Sequence, residues 1–435
     1  MKEVEVTIIG GGLAGCEASL YLADRGVKVK LYEMKKIKKT PAQKSEYLAE
    51  LVCSNSLKGT DSLSASGLLK LEMEKLGSSL IPLAKQCSVP SGGALSVDRD
   101  KFGETVTNLV KNHKNIEIID QIVTKIDVNK PTIVACGPLI DGELFKHLSE
   151  LIGEDSCYFY DAIAPIVTLE SINMQRAYWG NRYNKGETAD YLNCLLNKEE
   201  YFTFYNELIN AKTVELHEFE KLKVFEGCMP VEIMAKRGID ALRYGPMKPV
   251  GIRDKRYEEK PYAVVQLRKE NKEGSILNLV GFQTNLIFSE QKRVFSLIPA
   301  LKDAEFIRYG TMHRNSYINS PKCLNEFSSL KKYPNIFIAG QLSGVEGYVE
   351  SMASGLFSAI NMLQYLREKP MQSLPSTTML GAIINYIAFS PEKNFQPMNA
   401  NYGIVDAENM RDKEEKKRRI LEKSMNEINT FLTKL

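Results

Sequence analysis

Two cysteines stand where a thiol could react. Cys53 lies in Leu51-Val52-Cys53-Ser54-Asn55-Ser56, and Cys228 in Phe225-Glu226-Gly227-Cys228-Met229-Pro230. Both stretches are loop-like, with small or polar neighbours. The thiolate is the reactive form and nearby cations favour it; Lys236, Arg237 and Arg243 are the local candidates after Cys228. Two such thiols would suit a pyrimidine. C5 of uracil is a poor nucleophile, but a thiolate adding at C6 converts C5 to an enolate carbon that attacks an electrophile. A second group must then take the C5 proton. The competing reading is cysteine as a small apolar filler. It applies to Cys16, on a predicted helix, and to Cys136, in a strand-ending turn.

A second constellation is Gly10-x-Gly12-x-x-Gly15, set between an apolar run and a helical one that opens with Leu13 and Ala14. The first glycine turns the chain, the second lets backbone approach a pyrophosphate, and the third lets helix pack on strand. The anion rests on free N–H groups at the helix start. Glu33 closes the next strand, close to the position of a ribose-binding acid. A tight turn without a ligand is the bland alternative. A second strand–glycine–helix element, Ile336-Phe337-Ile338-Ala339-Gly340-Gln341, points to FAD rather than NAD, because a flavin needs a further turn to seat its ribityl chain.

These residues call for particular elements. Val4 to Ile9 reads as a buried strand, Leu13 to Arg25 as a helix and Val27 to Tyr32 as a second strand, a βαβ unit with short loops. Asp98 to Asn112 reads as a helix, and Ile116 to Val123 and Thr132 to Ala135 as strands. Aromatic residues then crowd the chain, and Tyr262 to Leu267 and Ile276 to Val280 read as strands of another kind. The fold class expected is α/β: a doubly wound, Rossmann-type FAD-binding domain formed by 1–155 and 300–435. An inserted α+β domain, 156–299, interrupts it and carries Cys228. The charged stretch after Asp406 reads as a solvated helix.

Composition narrows the function. The 435 residues are 43% hydrophobic, enough for two or three domains. Net charge is +3, from 57 basic and 54 acidic residues, so a nucleic-acid site must be a local patch. Lys35, Lys36, Lys38 and Lys39 form one basic cluster. Lys248, Arg253, Lys255, Arg256 and Lys260 form another, favoured for phosphates because it follows Cys228 closely. None of the eight cysteines forms a C-x-x-C pair and there are only four His, so no metal site is expected. No apolar run reaches the ~18 residues of a membrane span. No secretory signal pattern is seen. No membrane association and a cytoplasmic location are therefore expected.

With these residues in view, nearly the whole chain resembles the folate- and FAD-dependent RNA (uracil-5-)-methyltransferase family. The matching runs are Ile9–Gly15, Ala49–Leu57, Phe225–Glu232, Tyr244–Gly251, Val280–Thr284, Met312–Asn315 and Gly344–Ser351, in family order. The resemblance implies that FAD carries a one-carbon unit from methylenetetrahydrofolate, and that NADH or NADPH supplies the reducing power. It implies that Cys228 adds to uracil C6 and that Cys53 is the base for the C5 proton. Gln341, Gly347 and Tyr348 match the family's flavin-side loop. His313 and Arg314 are candidates for the folate or RNA pocket, with a core role for His313 equally open; Lys248 and Arg253 are candidates for RNA contacts. Gln43-Lys44 and Lys58 depart from the family pattern. The RNA target is then a tRNA T-loop uridine or a 23S rRNA uridine, with a slight lean to 23S rRNA. A flavin-dependent NAD(P)H oxidoreductase and a non-catalytic, RNA-binding flavoprotein are the rival functions.

Overall fold

The computed structural model describes residues 5–153, 157–162, 164–184, 188–214, 229–252, 256, 260–271, 273–310, 312–393, 395–408 and 410–435; for 157–162, 184 and 312–314 only the backbone is described. Cys228, Arg253 and Lys255 lie outside the described residues, as do the side chains of His313 and Arg314.

Five short strands form a wholly parallel sheet. Their spatial order is Ile336–Ile338, Thr132–Val134, Glu5–Ile9, Lys28–Glu33, Ile116–Asp120. Parallel strands are covered on both faces, and alternate residues feed two cores. Val6, Ile8, Leu31, Ile133 and Phe337 enter one core; Ile9, Val134, Ile336 and Ile338 enter the other. Helix Leu13–Ala23 is buried along its whole length and packs against helix Tyr348–Leu366 on the first face. Helix Gly142–Ile152 covers the second face through Leu144 and Leu148. This is the expected doubly wound, Rossmann-type arrangement. The strand expected to run to Val123 stops at Asp120, whose partner Glu33 is the last residue of its own strand.

A second sheet is antiparallel and six-stranded: Ala177–Trp179, Tyr191–Leu196, Ala263–Lys269, Ile276–Leu279, Ile166–Thr168, Phe306–Arg308. Its own core holds Tyr201, Phe204, Phe282 and Phe295. A third, small sheet pairs Ser56–Gly59 and Ser88–Val89 with Ala94–Val97.

The C-terminal helix corrects the reading of a solvated segment. Helix Lys413–Leu432 buries Ile420, Ser424, Ile428 and Phe431 against helix Ala65–Leu76. Those four positions form one stripe at helical spacing, which the surrounding charges mask in the sequence. No described helix is long and apolar enough to cross a membrane.

Candidate active site

The strand order reverses between Glu5–Ile9 and Thr132–Val134, and a cleft opens at the C-terminal ends of these strands. Ligands of doubly wound sheets occupy such switch points. The cleft, with the open space at its mouth, spans about 1040 Å³ free of protein atoms. Gly10, Gly12, Leu13, Ala14, Glu33, Gly340, Gln341 and Tyr348 all line it.

Each motif glycine has its own cause. Gly10 has φ +106°, and a Cβ there would lie 2.5 Å from the Ala135 carbonyl oxygen. A Cβ on Gly15 would lie 1.8 Å from the Gly10 oxygen, so any side chain would force helix from strand. Gly12 faces open space. It starts the helix with no side-chain cap, leaving amides without intrahelical partners beside the cleft. Glu33 is buried, accepting from the Gly11 amide at 2.6 Å and the Lys35 amide at 2.8 Å. On the far wall, the Gly340 amide donates to Ser354 Oγ (2.6 Å), and Gln341 Nε2 donates to both oxygens of Glu346 (2.9 and 2.8 Å). Glycine turns, an uncapped helix start and a buried acid at a strand end fit an adenine dinucleotide.

The start of helix Tyr348–Leu366 joins this cleft to the thiol loop. Tyr348 Oη donates to Cys53 Sγ at 3.2 Å and accepts from the Cys53 and Ser54 amides at 2.7 and 3.2 Å. Burial, and then the adjacent Cys53, push the Tyr348 phenol well above its ordinary pKa, so it stays a hydrogen-bond donor. Cys53 is partly exposed, whereas Cys16, Cys87, Cys194 and Cys323 are buried. Burial drives the Cys16 thiol upward, as suits a packing residue, whereas Cys136, read as packing from the sequence, is partly exposed and lines the cleft.

Residues distant in sequence complete the loop's surroundings. Arg99 Nη1 donates to Leu51 O (3.0 Å) and Nη2 to Cys53 O (3.5 Å), while its Nε pairs with Glu270 at 2.6 Å. Arg308 Nη2 donates to Val52 O at 2.8 Å. Arg268 reaches Asn55 Oδ1 and Ser54 Oγ, both at 3.0 Å. None of these four charged residues was singled out in the sequence. One signal was available: Arg268 and Glu270 stand two apart at the end of an apolar strand, and so share a face.

The chain on either side of Cys228 is tied to one stretch. Val214 N donates to Asn285 O (2.9 Å) and Val231 N to Gln283 O (2.7 Å). The buried Glu232 accepts from Thr284 Oγ1 and the Asn285 amide, both at 2.8 Å.

The basic clusters fare differently. Lys35 is buried and bonded to Tyr47 O and Glu50, and Lys36, Lys38 and Lys39 pair with Asp120, Asp141 and Glu46. The first cluster therefore has its charge matched internally. In the second, Lys248 is exposed, and its carbonyl accepts from Arg182 Nη1 at 2.9 Å. Lys58, one of the departures, is ion-paired at 2.7 Å with the fully buried Glu350 in the first turn of the Tyr348 helix.

The family model described as glucose inhibited division protein A matches residues 5–370. The chain belongs to the glucose inhibited division protein A family. Among similar proteins is the methylenetetrahydrofolate–tRNA-(uracil-5-)-methyltransferase TrmFO of Fusobacterium nucleatum, 54% identical over 426 residues, 97% of this chain and 98% of that protein. The TrmFO of Halalkalibacterium halodurans is 49% identical over the full length of both chains. Among solved structures, the family's Aquifex aeolicus GidA (form II crystal) superposes with a TM-score of 0.69. It is 14% identical and covers 99% of this chain and 74% of that one, a likeness of fold. The names of these TrmFO relatives specify tRNA, and the lean toward 23S rRNA finds no support among them.

Proposed function

We propose that this protein methylates C5 of a uridine in tRNA, taking the carbon from methylenetetrahydrofolate, with FAD held in the cleft and NADH or NADPH as reductant. The reading places the reaction in the cytoplasm, where thiols stay reduced. Bound FAD supplies carriage of the one-carbon unit and the hydride that completes the methyl group. Gly10, Gly12, Leu13, Ala14, Gly15 and Glu33 would hold its adenosine and pyrophosphate, and Gly340, Gln341, Gly347 and Tyr348 the flavin end.

The single observation that carries this reading is the thiol bonded to a wall of the dinucleotide cleft: Cys53 Sγ hydrogen-bonded at 3.2 Å to Tyr348, itself a cleft residue. A simple flavin oxidoreductase has no use for a thiol so placed, and a dithiol redox enzyme usually carries a closely spaced cysteine pair, which the sequence lacks. In the proposed chemistry the Cys228 sulfur bonds to uracil C6, and the displaced π electrons make C5 nucleophilic. After C5 has gained its new carbon, the Cys53 thiolate takes the C5 proton. The Cys228–C6 bond then breaks, restoring the pyrimidine and the free thiolate. Tyr348 orients Cys53 throughout by holding both its sulfur and its amide. A uridine in a folded tRNA must be turned out of its stack to reach these thiols; Lys248, Arg253, His313 and Arg314 are the candidate contacts for the RNA or the folate.

A Cys228→Ala variant tests this. Methylation of tRNA should vanish while oxidation of NADH or NADPH by the flavin persists. Undiminished methylation by that variant would refute the assignment, and flavin reduction with no methylation by the wild type would favour the oxidoreductase.

A further inference from the structure

Three guanidinium groups from three separate elements converge on one five-residue loop. Arg99 opens helix Arg99–Lys111, Arg268 lies on strand Ala263–Lys269, and Arg308 ends strand Phe306–Arg308. Together they contact Leu51, Val52, Cys53, Ser54 and Asn55. Glu270 pairs with Arg99. Among the described residues, no carboxylate stands within ion-pairing distance of Arg268 or Arg308. Holding a loop would need only neutral donors, and unbalanced buried charge is costly. Burial and the neighbouring Arg99 depress the Arg308 guanidinium below its ordinary value, as expected of cations crowded together. The polar surroundings of Cys53 thus carry three guanidinium groups against one described carboxylate, Glu270.

We propose that Arg308 and Arg99 are positioning residues that hold Cys53 as a thiolate, the sulfur itself being the anion their cluster is built around. The proposal rests on reading Cys53 as the proton acceptor, and adds how it comes to be ionised before substrate arrives. Among the described residues, the charged and titratable groups set around this loop are Arg99, Arg268, Arg308, Glu270 and Tyr348. The Tyr348 hydroxyl donates to the sulfur, which favours the ionised form. Arg99 donates to the Cys53 carbonyl and Arg308 to that of Val52, which sets both charges on the loop that carries the sulfur. Arg268 is bonded to the side chains of Ser54 and Asn55 and serves the loop's shape.

The test measures the pH dependence of iodoacetamide alkylation at Cys53, quantified by peptide mass spectrometry on the flavin-loaded protein. Arg308→Gln should move the midpoint upward by about one unit, cutting alkylation about tenfold at a fixed pH below both midpoints. Arg308→Lys should restore most of the wild-type profile. Glu270→Gln removes the negative charge opposing the arginines and should move the midpoint downward. Opposite shifts from two variants in one cluster cannot come from general loosening of the loop. Should Arg308→Gln fail to fold, Glu270→Gln decides alone. Unchanged midpoints, or shifts of the same sign, overturn the proposal. A thiolate confirmed here together with full methylation by Cys53→Ala would instead overturn the assignment of Cys53 as base and leave the charge cluster standing.

Discussion

The dinucleotide cleft and the thiol loop lie side by side but are made differently. The cleft is mostly backbone: two glycine turns, two helix starts and the ends of parallel strands. Its core, Gly10 to Glu33, is a single run of chain. The loop around Cys53 is held by side chains from residues 99, 268, 308 and 348. A backbone site fails through shape and should lose its ligand. A site of convergent side chains should fail through chemistry and keep its ligand.

The largest effect is expected where shape is tightest. Gly15→Val places a branched side chain where a Cβ would already sit 1.8 Å from the Gly10 oxygen. It should cost about 3 kcal/mol or more and yield colourless protein, read by flavin absorbance and thermal melting. Cys53→Ala tests the other region: purified protein should remain yellow while tRNA methylation falls by about 10²- to 10⁴-fold. A variant that loses its flavin as well would erase the distinction between the two regions. Glu33→Gln should be milder, weakening flavin retention about tenfold with turnover restored at saturating FAD, as measured by equilibrium binding.

The smallest effect concerns the cleft's outer support. Glu72 is buried, accepts from the Met379 and Leu380 amides at 2.7 Å, and also accepts from Ser424 Oγ. Burial raises its carboxyl from 4.5 to about 7. The folded chain then binds this proton more tightly than the unfolded chain. Its contribution to stability is full below about 4.5 and is lost as pH rises toward 7. Melting followed between pH 4.5 and 7 should therefore show a decline of about 1–3 kcal/mol from this group. Glu72→Gln, which mimics the neutral form, should flatten that decline and leave methylation untouched.

The same contrast decides how much was legible in the sequence. Gly10, Gly12, Gly15 and Glu33 were readable because one βαβ unit fixes their geometry within a short run. The two buried strands and the glycine at 340 were readable for the same reason. Cys53 stood out by its neighbours, but Arg99, Glu270 and Arg308 did not. Apart from the Arg268–Glu270 spacing nothing local marks them, and only the docking of the antiparallel sheet beside the cleft brings them together. The lysines at 35, 36, 38 and 39, the less favoured of the two basic clusters, show the converse. Their carboxylate partners lie partly far along the chain, so a cluster that reads as basic is neutral in space. The C-terminal helix shows a further limit of pattern: four buried positions among many charges form a stripe that composition hides.

The most direct measurement is the fate of the folate carbon. Flavin-loaded protein would be incubated with methylenetetrahydrofolate labelled in its methylene carbon, NADH or NADPH, and tRNA and 23S rRNA lacking 5-methyluridine, each digested afterwards to nucleosides. The account predicts labelled 5-methyluridine from the tRNA and none from the rRNA. Label confined to rRNA, or reduced cofactor consumed with no labelled nucleoside in either, would contradict it.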